Sequence, residues 1–150
     1  MSDFERAIVN SLNRFFKTKQ IQGFAFRCKL QKTGSPVAGV IVDSPNPAYN
    51  LLIECKSIID KKLYFSQHFH SDKQHVHPVE AISDFLVKTN RIGFLALEFR
   101  QGPGKTGEAF LIPWVTVIEH FRNKRGITLK DARHYIAFGQ SRDGYVLDHL

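Results

Sequence analysis

At 150 residues with 43% hydrophobic content spread along the chain, the sequence is long enough for one ordinary domain with a real core. The net charge of +7, from 21 basic against 14 acidic residues, points to a polyanionic partner. No run approaches the ~20 apolar residues that span a bilayer, and "MSDFERAIVNSLNRFF" lacks the basic-then-apolar layout of a signal peptide. A soluble, cytoplasmic protein with no membrane contact is therefore expected. The two cysteines, Cys28 and Cys55, each fall inside a strand pattern, as buried free thiols in a reducing compartment do.

Phe4, Ile8, Leu12 and Phe15 recur at helical spacing and predict a helix over residues 3 to 17, with Ser2 and Glu5 at capping-box spacing. In "GFAFRCKL", Phe24, Phe26, Cys28 and Leu30 alternate with Ala25, Arg27 and Lys29, predicting a half-exposed strand with a basic outer face. "VAGVIVD" and "NLLIECKS" are two further strands, joined by the turn-rich "SPNPAYN". His77-Pro78 opens a helix that runs to about Thr89, with Val79, Ile82, Phe85 and Leu86 inward. "RIGFLALEF" and "EAFLIPW" are strands around the turn "RQGPGKTG", a helix follows Pro113, and "HYIAF" is a late strand. The order αβββαββαβ implies an α/β domain over residues 1 to 150 with a mixed sheet.

Three stretches invite a chemical reading. "GPGKTG" resembles a phosphate-binding loop, but the glycine required five positions before Gly104 is Phe99, so a hairpin turn is expected. "HFHSDKQHVH" offers His68, His70, His75 and His77 as ligands for a structural zinc; a polar connecting loop, or a loop touching DNA phosphate, accounts for the same residues. In "LLIECKS", alternation places Glu54 and Lys56 on one face and Ile53 and Cys55 on the other. A carboxylate and an ammonium in an otherwise apolar strand fit a metal-phosphate site, and equally an exposed ion pair. Glu5 falls with Val9, Leu12 and Phe16 toward the apolar side of its helix, where it is a second candidate acid or the capping acid for Ser2. Lys17, Lys19, Arg27, Lys29 and Lys32 gather around the same region, as a phosphodiester substrate requires and as a solvated surface also shows.

These residues and this order resemble the PD-(D/E)XK nuclease superfamily, and within it the Holliday junction resolvases of the archaeal Hjc type and the bacterial RecU type. The likeness covers roughly residues 3 to 115 and rests on "FER", "GFAFR", "GSPV", "LLIECKS", "IGFLALEF" and "FLIPW". It implies a restriction-endonuclease-like core, a mixed central sheet flanked by helices, and hydrolysis of four-way branched DNA by a homodimer. Magnesium would be the metal, with manganese a substitute, and no small-molecule cofactor is implied. Glu5, Glu54 and Lys56 would be the active-site residues, with Glu54 a metal ligand and Glu5 a possible one. Arg6, Arg27, Lys29, Lys32, Ser35 and His77 would face DNA.

The family's second acid, an aspartate entering the second strand, falls here on Ala38. Either Asp43 at the far end of that strand replaces it, or the ligand is missing and the chain binds substrate with impaired cleavage; strand alternation favours the second. RecU-type relatives also carry a His-Gln pair where this chain has His77-Pro78, with Gln67 and Gln74 as nearby substitutes. A non-catalytic DNA-binding module, or a restriction or repair nuclease on the same core, are the other functions this pattern admits.

Overall fold

The computed structural model describes residues 3–29, 38–69, 76–142 and 144–150. A helix α1 (Asp3–Lys19) leads into an antiparallel run of strands β1 (Phe24–Lys29), β2 (Ala38–Asp43) and β3 (Leu51–Ile58). A crossover holding β4 (Lys62–Leu63), the single turn α2 (Phe65–His68) and α3 (Pro78–Thr89) returns the chain to β5 (Ile92–Phe99), parallel to β3. β6 (Glu108–Pro113), α4 (Trp114–Arg122), β7 (Ile127–Thr128), α5 (Leu129–Ala132) and β8 (Ile136–Ala137) follow. The hairpin of β9 (Gly139–Ser141) and β10 (Gly144–Val146) comes last. The main sheet has the order β1-β2-β3-β5-β6-β8, and only β3 and β5 pair in parallel. It is a mixed sheet flanked by helices, the α/β class expected from the order of the elements.

Alternation along the strands builds a core on each face. Val40, Val42, Leu51, Ile53 and Ala96 meet Ile8, Leu12 and Phe16 of α1, while Leu52, Leu95 and Leu97 meet Val79 and Ile82 of α3 and Val117 of α4. The central strands are therefore apolar on both sides, as strands covered by helices on both faces must be.

Side chains fasten the helices to the sheet. The Asn13 amide accepts from the Ala25 N–H at 2.8 Å and donates to the Ala25 carbonyl at 3.0 Å, so α1 serves the backbone of the edge strand. Trp114 Nε1 donates to Ser83 Oγ at 3.0 Å, joining α4 to α3. Pro78 and the left-handed Asn90 (φ 53°) mark the two ends of α3, and the Asn90 N–H closes the last turn on the Leu86 carbonyl.

The reading of β1 as a strand with a basic solvent face does not hold. Ala25 is buried and Arg27 points at Glu5 of α1, whereas Phe24, placed inward by alternation, is 62% exposed. The cause is α1, which packs on the face that the basic residues mark as outward. The small elements β4, α2, β7, α5, β9 and β10 are too short for a periodicity to register.

Candidate active site

β2 and β3 pair only from Val42↔Leu51 to Val40↔Ile53, while β2 stays paired with β1 as far as Lys29↔Ala38. The two central strands part there. Glu54 is the first residue of β3 beyond the last pair, and Ala38 and Gly39 lie beyond it on β2. Gly39 is required at this point: a Cβ on it would stand 2.8 Å from the Ile53 carbonyl oxygen, closer than real Cβ contacts come.

Within the fork, the Glu54 side chain keeps only 14% of its surface, and Lys56 Nζ lies 3.7 Å from its Oε1. Burial raises the Glu54 pKa to about 7, against the lowering pull of Lys56, and the nearby charge of Glu5 adds to the rise. The Lys56 ammonium also sits over the Phe69 ring, 4.6 Å from its centroid, which fixes the lysine from its other side. Glu5, in the first turn of α1, meets Arg27 with Nε 3.2 Å from Oε2. That Nε is buried without a well-aligned acceptor, so the contact is chiefly one of charge. Burial, then the charges of Glu54 and Glu5, push the Cys55 thiol well up, which leaves it a protonated and unreactive neighbour.

The fold thus brings Glu5, Arg27, Glu54 and Lys56 to one place from α1, β1 and β3. Arg6 is exposed one residue along α1, 3.7 Å from Asp3. Lys29 is in register with Ala38, and Lys32 and Ser35 lie outside the described residues. Asp43, the alternative second acid, is not brought to this place. It is at the other end of β2, where it holds Arg91 at 2.7 Å while Arg91 also donates to the Val42 carbonyl.

The two described histidines of the run 68–77, His68 and His77, are each engaged by protein groups. His77 caps α3, its Nδ1 accepting from the Val79 N–H and its Nε2 donating to the Phe65 carbonyl, so neither ring nitrogen is left for DNA or metal. His68 accepts from the Tyr64 N–H and lies 3.3 Å from Asp60; His70 and His75, like Gln74, are outside the described residues, and Gln67 is exposed on α2.

Sequence reasoning missed one participant in the site and one hydrogen-bonded acid outside it. Phe69 fixes Lys56, and nothing in "HFH" marks it as different from a core residue. Glu98 of β5, opposite Ser57 in register, accepts from Ser57 Oγ at 2.5 Å and from the Tyr145 hydroxyl at 2.7 Å. The signal was a lone acid in the apolar run "IGFLALEF"; its hydroxyl partner, 47 positions on, could not be inferred.

This architecture is a mixed α/β fold, with the candidate site where β2 and β3 part. It is similar to the solved structure of Hjc from Archaeoglobus fulgidus, a Holliday junction resolvase from an archaeal hyperthermophile, at a TM-score of 0.55 and 18% identity over 89% of this chain and 91% of that one. No protein-family model matches the sequence, and no curated protein matches it.

Proposed function

We propose that the chain is a structure-selective endodeoxyribonuclease of the resolvase type, binding four-way DNA junctions as a homodimer and cleaving them by metal-dependent hydrolysis. The observation that carries this is the Glu54–Lys56 pair at the strand fork, with Glu5 and Arg27 facing it, on a fold shared with a junction resolvase.

The donor set fits a divalent cation bound by few protein ligands. Glu54 is a buried carboxylate whose proton affinity is raised in part by Glu5, so a positive ion there relieves both. Magnesium accepts one or two carboxylates and fills its remaining positions with water and phosphate oxygen. Among the described residues no group of three or more His, Cys, Asp or Glu is placed to hold a metal. Glu54 and Glu5 would hold the ion, which when bound supplies charge stabilisation to the phosphate. Lys56, oriented by Glu54 and Phe69, presents a cation to the phosphodiester. Arg27 and the exposed Arg6 add positive charge beside it. With one carboxylate short, the chain binds junctions well and turns them over poorly.

The homodimer follows from the reaction: two strands of like polarity are nicked symmetrically only by two sites related by a twofold axis. Action in the cytoplasm agrees with Cys28 and Cys55 both being free thiols. Among the described residues no helix is long and apolar enough to cross a membrane.

The test is a gel-shift comparison of a four-way junction with linear duplex of equal length, followed by cleavage in magnesium. Preference for the junction with slow, paired nicking agrees with the proposal. Equal affinity for both DNAs removes the junction reading, and complete absence of nicking at high enzyme leaves a non-catalytic DNA-binding module.

A further inference from the structure

We propose that the cleft between Lys62–Ser66 and the end of α4 is a nucleotide-binding pocket, seating one unstacked base on an aromatic floor with its phosphate at a cationic rim. The cleft encloses about 460 Å³, within the range of roughly 300–1,000 Å³ typical of small-ligand sites. Phe65 meets Phe121 edge-on at 5.4 Å, and His77 lies against Phe121 at 4.5 Å. Because both His77 nitrogens are already bonded, the ring contributes a π surface and no hydrogen bond. The rim carries Lys62, Lys124 and Arg125, and among the described residues none of the three is in an ion pair.

Two features separate this cleft from ordinary packing. Tyr64, a large aromatic, is left 42% exposed even with His68 stacked on its ring at 6.0 Å, and the Lys62 ammonium lies 5.3 Å from the ring centroid. Exposed aromatic faces beside unpaired cations are what recognise single-stranded nucleic acid, since every base has a π face and every nucleotide a phosphate. The walls are also built rigidly. Lys62↔Thr128 and Leu63↔Ile127 pair across β4 and β7, Lys124 turns the chain in the left-handed region (φ 53°), and a side chain at Gly126 would overlap the Leu63 carbonyl.

The pocket is one ring away from the strand fork. Phe69 stacks on Phe65 at 5.8 Å and carries Lys56 on its ring. A strand crossing the fork would therefore find the pocket within reach of a neighbouring nucleotide. Binding here requires no metal and no cleavage, so it holds whether or not the chain cuts DNA.

The test is a titration of the ¹⁵N-labelled protein in metal-free buffer with inorganic phosphate, thymidine monophosphate and a short oligothymidylate in turn, following backbone amides. Shifts at Tyr64, Phe121 and Gly126 with the two thymidine ligands, beyond any caused by phosphate, are the expected result. Shifts with the oligonucleotide alone identify a polymer strand as the source, and comparable affinity for the monophosphate identifies a free nucleotide. Tyr64→Ala is expected to weaken binding roughly five- to 150-fold, and Lys124→Gln with Arg125→Gln to weaken it further. Neither touches the core. Shifts no larger than those of phosphate, or undiminished affinity in both variants, overturn the pocket. Glu54→Gln should leave these shifts unchanged, so a failure of the nuclease proposal cannot be mistaken for a failure of this one.

Discussion

Lys56 is held between two partners of opposite kind, with Nζ 3.7 Å from the Glu54 carboxylate and 4.6 Å from the centre of the Phe69 ring. Even so, the Glu54 pKa stands at about 7, because burial and Glu5 outweigh the neighbouring ammonium. A carboxylate left in that condition is costly to the folded state at neutral pH, and such perturbed groups concentrate at functional sites.

The first prediction concerns pH. In the unfolded chain Glu54 releases its proton near the ordinary glutamate value of 4.5, and in the fold it holds it to about 7. Between those values the native state carries more protons than the unfolded one, so stability falls as pH rises. The contribution is fully present below 4.5 and gone above about 7, on the order of 3 kcal/mol in all. Glu54→Gln should therefore flatten the fall in melting temperature between pH 4.5 and pH 8 and melt higher than the parent at pH 8, while abolishing any nicking. Parallel pH profiles for the two proteins would show that Glu54 is not the group responsible.

Placing an acid at position 38 is the second. Ala38→Asp adds a carboxylate near the opening of the fork, where it should raise the Glu54 pKa further by like-charge repulsion and lower the metal-free melting temperature at neutral pH. Magnesium should reverse that loss by binding only the folded state, and junction cleavage should rise by orders of magnitude. A folded Ala38→Asp protein that is neither stabilised by magnesium nor more active would show that position 38 is not a ligand position.

How much of this was legible in the sequence differs from place to place. Periodicities of 3.6 and 2 announced α1, α3, α4 and the five long strands because each buries a continuous apolar face. Glu54 and Lys56 were legible because two charges in an apolar strand break its pattern. What could not be read was anything that depended on what lay across the sheet. Arg27 reads as outward because no local rule says that α1 covers that face, and His77 reads as free for DNA because the Phe65 carbonyl that takes its Nε2–H comes from a separate element. The Glu98–Tyr145 bond joins residues from distant parts of the chain and leaves no local trace.

Gly39 supplies the third prediction. Its missing side chain lets β2 pass so near the Ile53 carbonyl oxygen that a Cβ would stand only 2.8 Å from it, and that carbonyl is backbone that cannot swing aside. Gly39→Ala should cost about 1–3 kcal/mol, as overpacking does, and should open the fork between Glu54 and the hairpin. Urea unfolding would report the first effect, and weaker junction binding at unchanged salt the second. A Gly39→Ala protein as stable as the parent would mean that β2 shifts freely against β3.

The last concerns the acid that the active site does not use. Glu98 accepts from both Ser57 and Tyr145, and the Tyr145 hydroxyl is in turn held protonated, its pKa raised by burial and then by Glu98. Tyr145 also packs edge-on against Phe4 of α1, at 5.9 Å. The bond therefore ties the terminal hairpin to the helix that carries Glu5. Tyr145→Phe keeps the ring packing and removes only the donor, leaving a partly buried carboxylate with one partner; the expected loss is about 1.5–3 kcal/mol, as for a hydrogen bond to a charged group. Glu98→Gln in the Tyr145→Phe background should cost less than it does alone, because the bond it would break is already gone. A double-mutant cycle by urea unfolding measures the difference. If the two losses simply add, the tyrosine acts by packing alone and the anchoring of α1 rests on Phe4.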